Sequence, residues 1–176
     1  MKHCIVGLMM MFALSATHAA KSSDFAPEID GLTLNGTPGI TLGSLRGRVV
    51  VVDFWASWCG PCVESMPEMN TMRERLLKQG YGDSFEILGV SLDGEAEDAR
   101  RFLKKYPVGF PVLLDDKSRA MKDFGLWRLP ATFVIDANGK IVMIYHGTAR
   151  GFSKELQAKV VDTILHPTLP SELKPR

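Results

Sequence analysis

The sequence predicts an α/β fold in which helices cover both faces of a central mixed β-sheet. Apolar runs alternate with amphipathic segments over most of the 176 residues, an order typical of this class. The run at 49–54 is apolar except for one aspartate, as in a strand buried on both faces. Near the end, the segments 131–135 and 141–145 flank Asp136-Ala137-Asn138-Gly139, which is a strong hairpin signal.

The chain begins with the layout of a secretory signal, which we assign to residues 1–20. Lys2 precedes an apolar run at about 5–16, and small residues lead to Ala20. The run is shorter than the roughly 20 residues that span a bilayer. We therefore expect cleavage after Ala19 or Ala20 and a periplasmic or otherwise extracytoplasmic location. An uncleaved N-terminal membrane anchor is the alternative.

After the signal we expect a connector at 21–28, one domain at 29–166 and a C-terminal tail at 167–176. The domain begins with apolar segments at 29–34 and 40–42, and the Asn-Gly and Pro-Gly pairs between them predict an N-terminal β-hairpin.

The long predicted strand at 49–54 is followed by a helix from about Pro61 to Lys78. Proline is favoured at the first helical position, and Gly80 is a typical stop. Pro67 inside this helix predicts a kink.

The second half alternates in the same way. A strand is predicted at 85–92, and an amphipathic helix at 95–106 turns Phe102 and Leu103 inward. A short strand at 110–114 and a short helix at 118–124 follow. After the hairpin, apolar residues recur every four positions from Phe152 to Ile164, which predicts a final helix.

Charge and cysteine content exclude several classes of function. The chain has 21 basic and 20 acidic residues, and one of the lysines lies in the signal. This balance gives no support to nucleic-acid binding. Three cysteines are too few for a disulfide scaffold, and Cys4 belongs to the signal. A zinc site at the other two would need two more ligands, but only His146 and His166 remain, in unrelated contexts. We expect no metal and no other cofactor.

The motif that carries chemistry is Cys59-Gly60-Pro61-Cys62, directly after the buried strand. Gly60-Pro61 predicts a turn into a helix, so Cys59 lies at a helix N-terminus, where backbone N–H groups and the helix dipole favour a thiolate. A second thiol one turn on permits thiol–disulfide exchange. We predict that Cys59 is an exposed nucleophile and that Cys62, less exposed, resolves the mixed disulfide. A purely structural disulfide would close only a tiny loop and stabilise little.

Asp53 lies six residues before Cys59 in the otherwise apolar strand. Burial would raise the pKa of this carboxyl and would let it accept the proton of Cys62, directly or through water. The alternative is an inert carboxylate at a strand edge. Trp58 borders Cys59 and is predicted to form part of a flat docking surface, and Trp55 is predicted to be core. For Trp127 both roles are open.

These segments resemble the thioredoxin fold and, within it, the TlpA/ResA-type exported thiol–disulfide reductases. The resemblance extends over roughly 25–165 and is carried by Val-Asp-Phe-Trp-Ala-Ser-Trp-Cys-Gly-Pro-Cys at 52–62, by Pro67, and by Leu-Pro-Ala-Thr-Phe-Val-Ile-Asp at 129–136. Gly-Val-Ser-Leu-Asp at 89–93 and the residues up to 115 resemble the mid-chain αβ insertion of this family.

By this resemblance Pro130 is a cis proline beside the cysteines, and the residue before it pairs through its backbone with an extended substrate segment. The implied substrate-binding residues are Trp58, Gly60, Pro61, Leu129 and Pro130.

Two positions depart from the family pattern. Many members have glutamate three residues after the second cysteine, where this chain has Ser65. Glu64 is one residue earlier and about 100° round the helix, so the acid/base role cannot be moved onto it, and we expect a solvated carboxylate there. Asp53 occupies a position that is often asparagine in this family but matches the buried aspartate of thioredoxins.

The resemblance implies a monomeric, exported reductase that draws electrons from a membrane-embedded thiol donor. Its implied clients contain disulfides or C-x-x-C-H segments, as in cytochrome c maturation, or belong to copper-site assembly. A disulfide oxidase or isomerase, and a non-enzymatic carrier of clients or of a metal ion, are the alternatives. A peroxidase is disfavoured because Val52 and Ala56 replace the Pro and Thr of the Pro-x-x-x-Thr-x-x-Cys motif.

Overall fold

A computed structural model describes residues 20–168 except 23, 37, 116 and 150, so most of the predicted signal and of the predicted tail lies outside the described residues. Six strands and four α-helices lie in the described ranges, in the order that the sequence predicts except that no strand forms at 40–42. The strands are β1 (Leu32–Asn35), β2 (Val49–Trp55), β3 (Phe85–Ser91), β4 (Val112–Leu114), β5 (Ala131–Ile135) and β6 (Ile141–His146), and the helices are α1 (Gly60–Lys78), α2 (Ala96–Lys105), α3 (Arg119–Asp123) and α4 (Phe152–Leu165).

The six strands form one mixed sheet in the order β1-β4-β3-β2-β5-β6. Strands β2, β3 and β4 are parallel to one another, whereas β1, β5 and β6 each pair with a neighbour in the antiparallel sense. The predicted mixed α/β sheet is therefore confirmed, as is the hairpin formed by β5 and β6. Within the described ranges, no helix has the length and apolar character needed to cross a bilayer.

Strand β2 lies at the centre because all of its residues are apolar except Asp53, and all are buried. Side chains of a strand alternate between the two faces of a sheet. Val51 and Trp55 belong to the core cluster shared with α1, α2 and α4, whereas Val52 and Phe54 belong to the cluster that includes residues of α3 and of the segment before β2. By this alternation Asp53 lies on the face that α1 covers.

The predicted N-terminal β-hairpin is wrong. Strand β1 overlaps the first predicted segment, but it pairs with β4, with Leu32 opposite Leu114. The second segment, 40–42, is not a strand, and one backbone bond from Leu42 N–H to the Ile29 carbonyl joins the two segments. The reason is tertiary: Asn35 accepts a bond from Val112 N–H and donates one to the Phe110 carbonyl, so β1 completes the sheet edge.

Helix α1 begins at Gly60 with a proline in its first turn, continues through Pro67, and ends before Gly80, whose φ of +89° is the left-handed conformation that glycine tolerates. One face buries Cys62 with the four apolar side chains Met66, Met69, Met72 and Leu76. Helix α2 turns Phe102 and Leu103 inward, as predicted. The strand after it begins at Val112, not at 110, because Pro111 has no N–H for the ladder.

Candidate active site

Cys59 and Cys62 form a disulfide at the point where α1 begins. Cys59 is the N-terminal capping residue of α1, with extended backbone angles, and no acidic side chain lies in the first turn of the helix. Cys59 is 5 % exposed and Cys62 is fully buried, so the predicted order of exposure is correct. The expectation that Cys59 is openly exposed is wrong for this oxidised form, because the bond holds its sulfur against buried Cys62.

A cavity of about 450 Å³ opens beside Cys59. Trp58 and Trp127 both line it and are each 71 % exposed, whereas Trp55 is fully buried in the core, as predicted. Trp127 therefore has the surface role and not the core role, the two roles that the sequence left open. We call this cavity the Cys59 groove, and its lining residues are Trp58, Cys59, Pro61, Leu92, Met121, Leu126, Trp127, Arg128 and Leu129.

The loop before β5 forms the opposite wall of the groove. The Leu129–Pro130 peptide bond is cis, as the resemblance implies. The Pro130 carbonyl accepts a bond from Gly147 N–H, but in the described part of the chain Leu129 makes no backbone hydrogen bond. Of the five predicted substrate-binding residues, Trp58, Pro61 and Leu129 line the groove. Pro130 is buried next to it, and Gly60 is exposed at the start of α1.

Asp53 is buried among apolar neighbours, with 1 % of its surface exposed. Thr132 Oγ1 donates a hydrogen bond of 2.9 Å to its Oδ1, while Oδ2 has no partner among the described residues. Burial raises the pKa of Asp53 from 3.8 to about 7, and the Thr132 bond opposes this only in part. Because β2 is central in the sheet, the alternative of a carboxylate at a strand edge is excluded.

Asp93, just after β3, is a residue that sequence reasoning missed. Its carboxylate accepts bonds from Ser57 N–H (3.0 Å to Oδ2), from Ser57 Oγ (2.6 Å) and from Ser91 Oγ (2.7 Å). It is 2 % exposed. These bonds tie the loop that leads to Cys59 to the end of β3. The signal was an aspartate directly after an apolar run, but Ser57 is 36 residues from Asp93 in sequence, and the two come together only through the parallel pairing of β2 with β3.

Asp93→Asn should lower the free energy of unfolding of the oxidised protein by about 1–3 kcal/mol, because an amide has one acceptor oxygen and cannot serve both hydroxyl groups and the Ser57 N–H. Urea unfolding measures the change. The matched control is Asp98→Asn on α2, whose carboxylate is exposed and bonds to Arg101 at the surface, and it should change the free energy by less than about 0.5 kcal/mol. Equal effects of the two variants would contradict this account of Asp93.

The family position three residues after Cys62 carries no carboxylate here. Ser65 Oγ donates to the Cys62 carbonyl across 3.4 Å, and Glu64 is exposed, as expected. Asp53, on the face of β2 that α1 covers, is a buried carboxyl that neither of these two positions provides.

Known proteins share this architecture. Residues 23–144 match the AhpC/TSA family. Thiol-disulfide oxidoreductase ResA of Geobacillus thermodenitrificans is 36 % identical over 107 residues, which are 61 % of this chain and 59 % of that protein. The ResA protein of Bacillus subtilis is 31 % identical over 147 residues, 82 % of this chain and 79 % of that protein.

Among solved structures, the crystal structure of a putative thiol:disulfide interchange protein DsbE from Chlorobium tepidum has a TM-score of 0.75 and 32 % identity, covering 83 % of this chain and 99 % of that one. The match to the Geobacillus protein covers less than two thirds of that relative, whereas the DsbE match covers nearly all of its chain. The chain therefore belongs to the AhpC/TSA family, has a thioredoxin-like fold, and has ResA-type thiol–disulfide oxidoreductases among its relatives.

Proposed function

We propose that this protein is an exported thiol–disulfide oxidoreductase that reduces disulfides in extracytoplasmic client proteins. The observation that carries the proposal is the Cys59–Cys62 pair at the start of α1, next to an apolar groove with an open main chain at Leu129. An extended client segment can pair with that main chain while its disulfide lies against Cys59.

The reaction consists of two exchanges. In the reduced protein the Cys59 thiolate attacks one sulfur of the client disulfide, that bond breaks, and one client thiolate leaves. Cys62 then loses its proton to Asp53, directly or through water, and attacks the Cys59 sulfur, which forms the 59–62 disulfide and releases the second client thiolate. Two electrons pass from the pair to the client. A membrane-embedded thiol donor of the kind implied by the resemblance would return them.

Several observations favour reduction of protein disulfides over the alternatives. Gly60-Pro61 between the cysteines is the thioredoxin dipeptide and favours a reducing potential. Peroxide reduction lacks support because Val52 and Ala56 are buried apolar residues where the peroxidase motif has Pro and Thr. For a metal carrier, no group of three His, Cys, Asp or Glu side chains lies together within the described ranges.

Export and the class of client extend the proposal. The signal-like segment 1–20 supports secretion, and relatives named ResA and DsbE support a role in thiol–disulfide interchange. The family resemblance supports two classes of client. These are proteins with C-x-x-C-H segments, as in cytochrome c maturation, and proteins of copper-site assembly.

The reduction potential of the Cys59–Cys62 pair tests the direction of the reaction. We expect a value closer to the about −270 mV of thioredoxin than to the about −120 mV of a strong oxidant, measured by equilibration in glutathione or dithiothreitol buffers. The reduced protein should also reduce insulin disulfides with turnover when dithiothreitol is supplied, and a Cys59→Ser, Cys62→Ser double variant is the control. A potential near about −120 mV would contradict the proposed reductase function and would support the alternative of a disulfide oxidase.

A further inference from the structure

Several exposed apolar side chains of the described residues cluster at the Cys59 groove. In the described part of the chain seven large apolar side chains are exposed, and three of them, Trp58, Met121 and Trp127, line this one cavity. Leu92, Leu126 and Leu129 add to the same lining. Contiguous exposed apolar surface marks a binding site, so the client must offer an apolar group here.

Arg128 is the one charged side chain in the lining of the groove. Among the described residues it has no ion pair and no hydrogen bond, so its five donors are open. Its guanidinium carbon lies 3.3 Å from the place where a Cβ on Gly147 would be. The guanidinium therefore packs next to the Gly147 backbone, where a side chain at residue 147 would crowd it.

The neighbouring Trp127 is supported in the same way. Its ring centroid lies 5.0 Å from that of His146, at 43°. The Trp127 and Arg128 side chains thus pack against His146 and Gly147, at the end of β6. Side chains held in place before binding lose less entropy when a ligand arrives, so the apolar wall and the cation present a partly preorganised pattern.

We propose, on the basis of the reductase function above, that the groove selects client segments in which the disulfide cysteine is accompanied by a large apolar side chain and an acidic side chain. The apolar group packs against Trp127 and Met121. The carboxylate meets the Arg128 guanidinium, whose fork of donors matches two carboxylate oxygens. No acidic side chain lines the groove to attract a basic client.

Charge selection is tested with disulfide-linked peptides in which a Phe is fixed next to the cysteine. The peptides of a pair differ only in carrying Glu or Lys, and this residue is placed in turn at each of the three positions on either side of the cysteine. The readout is the Glu-to-Lys ratio of kcat/KM. For at least one position we expect a Glu-to-Lys ratio of about ten in the wild type, and this ratio should shrink as the salt concentration rises. The ratio should fall below one in Arg128→Glu and should be retained in part in Arg128→Lys.

Lys154→Glu, an exposed residue of α4 outside the groove, makes the same change in net charge and should leave the ratio as in the wild type. A ratio near one at every position, or equal shifts in Arg128→Glu and Lys154→Glu, would overturn the charge selection. Reduction of hydroxyethyl disulfide by the wild type separates the two proposals, since this neutral substrate tests the reductase function without testing the groove.

Apolar selection is tested by replacing the fixed Phe with Ser. Trp127→Ala should lower the Phe-to-Ser ratio of kcat/KM by about fivefold. Phe25→Ala removes an aromatic ring that is 64 % exposed and does not line the groove, and it should leave the ratio unchanged. An unchanged ratio in Trp127→Ala would overturn this half of the proposal.

Discussion

Cys62→Ala is expected to stop turnover and to accumulate a mixed disulfide between Cys59 and the client. Without the second thiol, nothing in the pair can attack the Cys59 sulfur, so the first exchange is completed and the second is not. The steady-state rate of client reduction should fall by at least roughly 10³-fold, the scale seen when a covalent catalytic group is removed. The adduct should be stable to iodoacetamide and released by dithiothreitol, as measured on non-reducing gels and by mass spectrometry.

The matched variants of this experiment separate the roles of the two sulfurs. Cys59→Ala should also abolish turnover but should trap no client, because Cys62 is fully buried and cannot reach an external disulfide. Expressed in the native host, Cys62→Ala would also identify the clients. If Cys59→Ala trapped clients as well as Cys62→Ala does, the assignment of Cys59 as nucleophile would be wrong.

Asp53→Asn is expected to slow the resolution of the mixed disulfide while it stabilises the fold. Asparagine keeps an oxygen that can accept the Thr132 Oγ1 bond but cannot take a proton. With the pKa of Asp53 raised to about 7, the carboxyl is partly ionised at neutral pH and is matched to accept the proton of Cys62. Loss of a general base costs about 10² in rate or more. Single-turnover decay of the mixed disulfide measures the step.

The pH profile distinguishes this role from a structural one. The deficit of Asp53→Asn should be largest near pH 7 and should shrink above about pH 9, where a thiol ionises without assistance. Thr132→Val, which removes the donor to Oδ1 but keeps the carboxyl, is the matched variant and should leave the resolution step within about threefold of the wild-type rate. The same resolution rate for Asp53→Asn and wild type from pH 5 to 9 would exclude Asp53 as the proton acceptor.

The stability effect has a defined sign. Because burial raises the pKa of Asp53 from 3.8 to about 7, the folded protein retains a proton that the unfolded chain releases between these values. The contribution of this group to wild-type stability is complete below pH 3.8 and is lost as pH rises to 7. Asparagine does not titrate. The free energy of unfolding of Asp53→Asn should thus exceed that of the wild type by a margin growing from near zero at pH 4 to at most about 4 kcal/mol at pH 8, measured by urea unfolding of both oxidised proteins.

Predictions from the sequence were most accurate where the signal is local. The apolar run of β2, the proline at the start of α1 and the Asn-Gly turn between β5 and β6 each determine their element through a few neighbouring residues. The burial of Asp53 followed from the same local pattern, since a carboxyl inside a central strand has no route to solvent.

Sequence reasoning failed where partners are distant. The turn residues at 35–39 indicated a hairpin, but β1 pairs with β4, which is distant in sequence. Asp93 was missed because a buried carboxylate is recognisable only by the hydroxyl groups that surround it. Arg128 was missed because a cation becomes informative only when the structure leaves it unpaired in an apolar groove.

The pairing of β1 with β4 has a consequence for how the chain reaches its native state. The two strands are about 80 residues apart in sequence, so their ladder closes a long loop, and the entropy cost of that closure opposes their pairing. Without β1, strand β4 would be an edge of the sheet, but at three residues it is too short a template for other chains to join. We therefore expect the amides of β1 to exchange with deuterium before those of β2, as the first part of the sheet to open.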